Sequence, residues 1–253
     1  MKIAFCFLTY KNLSQPKLWF HFINNNRNRM NAYIHSKEEF YDHEYHLHNY
    51  CLTEYKVTTR YGHKSVVQAS LRLFEEALKD ESNTFFILLS DKCVPIYSFD
   101  YIYNKIFQIN NNIIHTSLTG EPNMWRFNHL HDKNFFDKGT FLNDSQWVLL
   151  NRPTAKWFVD YNFLYLYSDD FFAVDEHYFG NLCQKFNIGF HNGCVVYRNW
   201  SDRSDEDGER PYPKTYVQLT NEMVEEIRLT TSALFMRKIS SNCKLPGAFY
   251  HIK

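Results

Sequence analysis

The first 120 residues of the chain alternate apolar segments of strand length with segments that carry one apolar helix face. Residues 2–9 and 84–89 are continuous apolar runs, which is typical of strands buried on both faces of a sheet. Between them, apolar side chains recur every three or four positions from Val67 to Leu78, the spacing of an amphipathic helix. The remaining predicted elements of this half are helices over 14–27 and 98–109 and strands over 31–35 and 113–118. This order predicts an α/β fold with a mostly parallel central sheet, right-handed crossovers and helices on both faces.

The second half of the chain is less regular. Its predicted elements are a strand over 145–150, a helix opening at 151–153, a helix over 176–186 that Asp175 would cap, and a strand over 194–200. Residues 119–140 and 201–214 show no clean period and are predicted to be loops. Because no repeat and no linker separates the two halves, we predict a single domain over residues 1–253.

Composition excludes several classes of function. The chain has 28 Lys+Arg and 28 Asp+Glu, so it lacks the basic surface charge expected of a nucleic-acid-binding protein. Only 8 glycines are present, and neither a GxGxxG nor a GxxxxGK[ST] motif occurs. A phosphate site in this chain is therefore expected to use side chains or the end of a helix.

The chain shows no signal for membrane insertion. Its N-terminal apolar run, Ile3 to Leu8, is far shorter than the roughly 18 residues needed to cross a bilayer, and no cleavage region follows it. The 6 cysteines have no CxxC spacing, which favours reduced thiols. These features predict a cytoplasmic protein without a membrane span.

Polar residues follow the predicted strands at the edge where open α/β sheets bind ligands. Thr9, His35, Asp91 and residues 116–117 all lie at carboxyl ends of strands. A nucleotide or a nucleotide-sugar would fit a crevice at this edge. The alternative interpretation, which the pattern alone favours, is that short polar residues simply end strands.

Two groups of residues resemble metal-binding motifs. The DxD sequence Asp205-Glu206-Asp207 lies in a charged loop and is more typical of a solvated acidic run. His43, His46, His48 and Cys51 have metal-like spacing but lack a paired CxxC, which favours a surface histidine cluster. Beside Asp91, the ammonium of Lys92 makes a poor environment for a hard cation. We therefore predict no metal.

An acidic and a basic pair are the strongest candidates for chemistry. A carboxylate at Glu176, aimed into a pocket, could accept a hydroxyl proton, although Asp175 and Glu176 could equally be a cap and a first-turn charge. Arg237 and Lys238 follow a buried apolar run and could bind a diphosphate, or could be a surface pair.

Several segments, in order, resemble one family. The chain is similar to the core-2/I-branching β-1,6-N-acetylglucosaminyltransferases and their plant homologues in IAFCFLTYKNL, in FFILLSDKCVPIYSF, in DSQW followed by LNR, in VDEHYF, in NWS, in PKT and in LFMRK. The segments span almost the whole chain. The sequence departs from the family pattern in two ways: Lys92 replaces a neutral or acidic residue, and the usual membrane anchor, stem and disulfide cysteines are not found. These departures concern the compartment of the protein and the identity of its acceptor.

The resemblance implies a GT-A type fold and an inverting transferase that needs no metal and no cofactor besides its UDP-sugar donor. It implies a nucleotide-sugar-binding half over 1–120 and an acceptor and catalytic half over 121–253. The residue roles that we carry over are Glu176 as general base; Lys238, Arg237 and Lys214 at the donor diphosphate; Thr9, His35 and Asp91 at the nucleotide; and Trp200, Trp147 and Asp175 at the acceptor.

The expected reaction transfers a sugar, N-acetylglucosamine in the first instance, from a UDP-sugar to a hydroxyl of a glycan or glycoprotein acceptor. Xylose and glucuronic acid are alternative donor sugars within the family. Two other classes remain open. A glycoside hydrolase would pair Glu176 with Asp175 or Asp170, and a non-catalytic protein of the same fold would only bind a sugar or a nucleotide.

Overall fold

The computed structural model describes residues 1–42, 44–52, 54, 56–200, 212–247 and 249. Its strands are β1 (Lys2–Thr9), β2 (Met30–Ser36), β3 (Asn83–Ser90), β4 (Val94–Pro95), β5 (Asn112–Ile113), β6 (Thr116–Leu118), β7 (Leu142–Asp144), β8 (Leu149–Asn151), β9 (Phe190–His191), β10 (Val196–Arg198), β11 (Tyr216–Gln218), β12 (Phe235–Arg237) and β13 (Ile239–Lys244). Its α-helices are α1 (Pro16–Asn24), α2 (Ser65–Leu78), α3 (Phe99–Ile109), α4 (Glu121–Met124), α5 (Arg152–Tyr161), α6 (Phe179–Lys185) and α7 (Asn221–Thr230). Short 3-10 turns cover Leu47–Tyr50, Trp125–His129, Lys138–Thr140, Phe163–Leu166 and Val174–Glu176.

The central sheet has six strands in the order β2-β1-β3-β8-β5-β9. Strand β1 is parallel to both β2 and β3, so Phe5 is in register with Ala32 on one side and Ile87 on the other. Strand β8 runs antiparallel to β3 and β5, and β9 is parallel to β5. The prediction of a mostly parallel α/β sheet is confirmed.

Aromatic side chains fix helices to both faces of this sheet. On one face, Phe5 of β1 packs its ring against Phe22 of α1 and Phe99 of α3. On the other face, Phe86 of β3 contacts Phe74 of α2, which also contacts Phe179 of α6. Each fully buried aromatic or aliphatic side chain contributes roughly 1.5–3 kcal/mol by leaving water. Because successive side chains of a strand point to opposite faces, the apolar strands stabilise helices packed on both sides of the sheet.

The strand order creates a crevice at the carboxyl ends of β1 and β3. From β1 the chain turns to β2 on one side, whereas from β3 it passes through α3 to β5 on the other side. Between two such strands the connections diverge, and ligands of open α/β proteins bind there. Thr9 ends β1, His35 is the second-last residue of β2 and Asp91 directly follows β3, so these predicted polar residues lie at this edge. The prediction is wrong for residues 116–117, which lie within β6 and pair with β7 in a separate sheet.

A second, three-stranded sheet brings the C-terminal part of the chain to the same edge. Its order is β10-β12-β4, and β4 begins shortly after β3 ends. Met236 of β12 is in register with Val94 of β4 and with Tyr197 of β10. This pairing places Arg237, the last residue of β12, beside the end of β3.

Three predicted strands are shorter than expected. The strand expected over 194–200 covers only β10, Val196–Arg198. The strand expected over 113–118 divides into β5, in the central sheet, and β6, which pairs with β7. The break occurs at Thr116, whose N–H donates to the side-chain oxygen of Asn192 and whose carbonyl oxygen accepts from the side-chain nitrogen of Asn192. The strand expected over 145–150 begins only at Leu149, because Ser145 donates its N–H to His115 outside any sheet.

The six cysteines are free thiols, as their spacing predicted. Within the described ranges, no helix combines the length and the apolar character needed to cross a membrane.

Candidate active site

The acidic residues lie in a 3-10 turn, not in an α-helix. Val174–Glu176 forms a single 3-10 turn, and α6 begins only at Phe179. The start of the helix predicted over 176–186 is therefore wrong. The side chain of Asp175 does not cap this helix, whose N-cap residue is Tyr178. The turn begins after Ala173, whose φ of 60° lies in the left-handed region and whose N–H donates to Gly62 O at 2.6 Å.

Glu176 is held by an arginine from a distant segment. Arg126, in the 3-10 turn Trp125–His129, donates from Nη1 to Glu176 Oε2 at 3.1 Å. The side chain of Arg126 is 10% exposed and that of Glu176 is 36% exposed. The buried guanidinium thus contacts a carboxylate that still reaches solvent.

His177 fixes Arg126 from the other side. Arg126 Nη1 also lies 3.1 Å from His177 Nε2, and His177 Nδ1 lies 2.7 Å from the carbonyl oxygen of Leu142. Because a carbonyl can only accept, Nδ1 carries the proton and Nε2 accepts from Arg126. Burial, together with the charge of Arg126, lowers the pKa of His177 to about 4, so this ring is neutral at physiological pH.

Asp175 is a half-buried residue with one carboxyl oxygen that solvent does not reach. Burial and the charge of Glu176 raise the pKa of Asp175 to about 7, although Arg126 and Arg237 act in the opposite direction. Its Oδ1 atom is inaccessible to solvent and has no hydrogen-bond partner among the described residues. Asp175 can therefore exchange a proton near neutral pH.

Asp144 binds the start of α6, the helix that follows the acidic turn. Its Oδ2 accepts the N–H of Gly180 in the first turn of α6. A Cβ atom at Gly180 would lie 2.8 Å from Asp144 Oδ2 and 2.8 Å from Thr116 Cγ2, so this approach requires glycine. Burial raises the pKa of Asp144 well above its usual value.

Arg237 is a half-buried cation whose charge acts on two carboxyl groups, those of Asp91 and Asp175. Its guanidinium lies 4.6 Å from the ring centre of Trp147, a cation–π contact. Burial and the charge of Arg198, its cross-strand neighbour in β10, lower the pKa of Arg237, whereas Asp91 and Asp175 raise it. The charge of Arg237 in turn lowers the pKa of both carboxyls. Arg237 therefore lies within electrostatic range of the end of β3 and of the acidic turn.

Lys238 is a half-buried cation next to Arg237. Burial and the charges of Arg237 and Lys92 lower the pKa of Lys238 to about 8. Its Nζ lies 5.0 Å from the ring centre of Tyr212. Lys214 is brought beside it through the backbone, since Lys238 donates its N–H to Lys214 O at 3.4 Å.

The predicted nucleotide residues differ in accessibility. Asp91 is half-buried, and burial raises its pKa while Lys92 and Arg237 lower it. Thr9 is buried and donates to Lys11 O at 2.9 Å, and the buried His35 accepts the N–H of Val57 at Nε2. Thr9 and His35 thus hold the loops at this edge, and contact of either with a nucleotide remains a prediction.

The two predicted acceptor tryptophans lie in different environments. Trp200 is 41% exposed, with the guanidinium of Arg198 at 5.9 Å from its ring centre. Trp147 is only 3% exposed, so its ring supports Arg237 and does not offer a free face to a sugar. Its assignment to the acceptor remains a prediction.

One cavity of the structure lies beside the loops after β1 and β2, and another lies at the outer edge of β2. A cavity of about 280 Å³ opens where Asn12, Leu13 and Ser14, which follow β1, meet Phe40 and Tyr41, which follow β2. A cavity of about 350 Å³ lies at the outer edge of β2 and includes none of the predicted site residues. Over the described part of the chain, no three His, Cys, Asp or Glu side chains are grouped to hold a metal ion, and Asp205, Asp207 and His43 lie outside the described residues.

The site therefore combines the buried Arg126 and the half-buried Arg237 and Lys238 with the adjacent carboxyl groups of Asp175 and Glu176. Of the residues predicted for the site, Arg237 and Lys238 lie beside Asp91 at the end of β3, since Ile239 donates its N–H to Lys92 O at 2.9 Å. The charge of Arg237 also acts on the pKa of Asp175, which is next to Glu176. The roles of these five residues remain predictions. Sequence analysis missed Arg126, which lies in a segment without periodicity. Arginine and lysine side chains can bind phosphate groups, and a carboxylate can accept a hydroxyl proton.

Comparison with known proteins identifies the family. The family described as Core-2/I-Branching enzyme matches residues 3–228, and the chain belongs to it. Glycosyltransferase BC10 of Oryza sativa subsp. japonica is 26% identical over 170 residues, which are 63% of this chain and 40% of the rice protein. Among solved structures, the crystal structure of A197 from STIV has a TM-score of 0.31 and 11% identity, covering 62% of this chain and 68% of that one.

The match confirms the resemblance that the motifs indicated and agrees with a GT-A type fold. The chain spans two fifths of the length of the rice relative that it matches. The activity, the substrates and the partners of the whole protein are therefore proposed below.

Proposed function

We propose that the protein is an inverting glycosyltransferase that transfers a sugar from a UDP-sugar to a hydroxyl of a glycan acceptor without a metal ion. N-acetylglucosamine is the donor sugar that we propose first. One observation carries this proposal: the pairing of Met236 with Val94 and the hydrogen bond from Ile239 N–H to Lys92 O at 2.9 Å place Arg237 and Lys238 beside Asp91 at the end of β3. The charge of Arg237 also acts on the pKa of Asp175, which is next to Glu176. A donor diphosphate near Arg237 would therefore lie between the sheet edge and the acidic turn.

In the proposed reaction, Glu176 accepts the proton of an acceptor hydroxyl. The hydroxyl oxygen forms a bond to the anomeric carbon, and the bond between that carbon and the diphosphate oxygen breaks, so UDP leaves with the bonding electrons. Attack from the face opposite the diphosphate inverts the configuration. A correctly placed general base contributes about 10²–10⁴-fold to the rate of such a step.

Fixed cations are proposed to stabilise the departing diphosphate. Arg237 and Lys238 are both partly or fully withdrawn from water, and charge–charge interactions are stronger in such surroundings than in bulk solvent. The ring of Trp147 and the strand pairing of β12 hold Arg237 in place before the donor binds. Preorganised charges of this kind need little rearrangement when negative charge develops.

The nucleoside is proposed to occupy the cavity of about 280 Å³ beside the β1 and β2 loops. Phe40 and Tyr41 supply aromatic surface there, and Asn12 supplies polar atoms. The cavity adjoins the diphosphate region because Ser14, one of its lining residues, donates its N–H to Asp91 O at 2.9 Å.

The experiment is a transfer assay with a panel of UDP-sugars and glycan acceptors, following UDP release and the anomeric configuration of the product by NMR. We expect Glu176→Gln to lower turnover by about 100-fold or more while UDP affinity, measured by calorimetry, stays unchanged. Glu225→Gln, in the exposed Glu225–Arg228 pair of α7, is the matched control and should retain full activity.

Near-normal turnover of Glu176→Gln would remove Glu176 from the role of base. Release of free sugar at the same rate with and without acceptor would favour a hydrolase instead. That alternative has little support, because Asp170 is exposed and Asp175 is adjacent to Glu176 in one turn. UDP-sugar binding without turnover of any kind would indicate a non-catalytic binding protein.

A further inference from the structure

A chain of hydrogen bonds connects the backbone of β7 to the carboxylate of Glu176. Leu142 O accepts from His177 Nδ1 at 2.7 Å, and His177 Nε2 accepts from Arg126 Nη1 at 3.1 Å. The same Nη1 donates to Glu176 Oε2 at 3.1 Å. Since Nη1 carries two hydrogens, one can point to each partner, and every proton in the chain has a defined position.

Packing holds the ring of His177 in one orientation. His177 is fully buried, and its ring stacks on Phe141 with centroids 5.1 Å apart and planes 9° apart. The edge of Phe171 packs against it, with centroids 5.5 Å apart. A neutral, immobile acceptor thus fixes the guanidinium of Arg126, whose other neighbour is the ring of Phe172 at 5.5 Å.

We infer that Arg126 is a positioning residue for Glu176: it holds Oε2 so that Oε1 faces the acceptor hydroxyl. This inference rests on the proposed role of Glu176 as base. A glutamate side chain has several rotatable bonds, and an unrestrained carboxylate that is 36% exposed would sample many orientations. Fixing one oxygen through a buried arginine restricts that motion to the geometry in which a proton can be transferred.

The contacts explain why an arginine is needed at this position. Its planar guanidinium reaches Glu176 and His177 from one nitrogen and carries a charge at every relevant pH. A lysine in its place could reach one partner but would lose the planar geometry. Arg126→Lys is therefore expected to restore part of what Arg126→Met removes.

The test compares Arg126→Met, Arg126→Lys and His177→Phe with the wild-type protein. Arg126→Met should lower kcat by about 100-fold, because misplacing a catalytic group by about 1 Å has that effect. The donor KM, the acceptor KM and the UDP affinity should stay within about twofold of the wild type. Arg126→Lys should recover at least part of the lost kcat.

His177→Phe isolates the contribution of the hydrogen bond from that of packing. Phenylalanine keeps the stack on Phe141 but removes Nε2, and Leu142 O still accepts from Asn181 Nδ2 at 2.7 Å. We expect kcat to fall by about tenfold, as for other indirect hydrogen-bond partners. Arg228→Met is the matched control, since Arg228 pairs with Glu225 in α7, and it should change stability but not kcat.

Combining Arg126→Met with Glu176→Asp separates the positioning role of Arg126 from its other roles. Shortening the base by one methylene breaks the 3.1 Å contact, so Arg126→Met should cost less than about threefold in kcat there. Equal losses in both backgrounds, or a raised acceptor KM at unchanged kcat, would overturn the inference. High activity of Glu176→Gln would instead overturn the proposed base, whatever Arg126 does. If Arg126→Met does not fold, Arg126→Lys and His177→Phe decide, and unchanged kcat in both would contradict the inference.

Discussion

The guanidinium of Arg237 lies 4.6 Å from the ring centre of Trp147; the indole is buried and the arginine is half-buried. A cation over an indole ring gains roughly 0.5–2 kcal/mol, and this contact offsets part of the cost of burying the guanidinium. The indole therefore helps to fix the position of the Arg237 guanidinium, although Trp147 itself is only 3% exposed.

Replacement of Trp147 should weaken binding of UDP through Arg237. Trp147→Phe keeps an aromatic face, so we expect a small loss of UDP affinity, whereas Trp147→Leu should lose about tenfold. Calorimetry with UDP measures this effect, and a thermal melt of each variant checks that it is folded. Equal UDP affinity in the wild type and in a folded Trp147→Leu would show that the indole does not support the cation.

UDP affinity should depend on the protonation of Lys238. The pKa of Lys238 is lowered to about 8, so in the unliganded protein its positive charge is lost as pH rises through that value. Binding of UDP should therefore weaken above about pH 8, by at most about tenfold per pH unit for one proton. Calorimetric titrations from neutral to alkaline pH test this expectation.

Lys238→Arg is the matched variant, because arginine keeps its charge over the whole range. Its UDP affinity should stay nearly constant with pH. A wild-type affinity that does not change with pH, or an equal decline in Lys238→Arg, would contradict the assignment of Lys238 to the diphosphate.

Asp175 should make the folded protein less stable as pH rises. Its folded pKa is about 7, above the ordinary value of 3.8, so the native state binds the proton more tightly than the unfolded state. The free energy of unfolding should therefore decrease between about pH 4 and pH 7. Asp175→Asn removes this dependence and should stabilise the protein at pH 8 by on the order of 1–3 kcal/mol.

Urea unfolding of the wild type and of Asp175→Asn across this pH range measures the difference. Asp144 and Asp91 also have raised pKa values, so only the difference between the two proteins reports on Asp175. Asp160→Asn, in the exposed Lys156–Asp160 pair, is the control and should change the profile little. Parallel curves for wild type and Asp175→Asn would contradict the raised pKa.

The main architecture follows from local patterns in the sequence. The runs over 2–9 and 84–89 are apolar at nearly every position, which only a strand buried on both faces accommodates well. The structure accordingly has β1 and β3 at these positions, with α2 between them. Arg237 and Lys238 could also be placed near the sheet edge, because the resemblance linked their segment to the donor site.

Other parts of the site depend on contacts between distant segments. Arg126 and Glu176 are 50 positions apart, and neither flanking segment has a helical or strand period. The turn at Glu176 depends on a left-handed Ala173, and alanine gives no sign of such a conformation in a sequence. The contact of Trp147 with Arg237 likewise depends on the sheet β10-β12-β4, whose short strands are distant from one another in sequence.

The most direct test of metal-independent donor binding is a calorimetric titration of the wild type and Lys238→Met with UDP in excess EDTA. The wild type should bind UDP as tightly in EDTA as with added Mn²⁺, and Lys238→Met should bind at least about tenfold more weakly in both. Binding of UDP that occurs only when Mn²⁺ is present, or that is unchanged in Lys238→Met, would contradict the proposal that fixed cations neutralise the diphosphate.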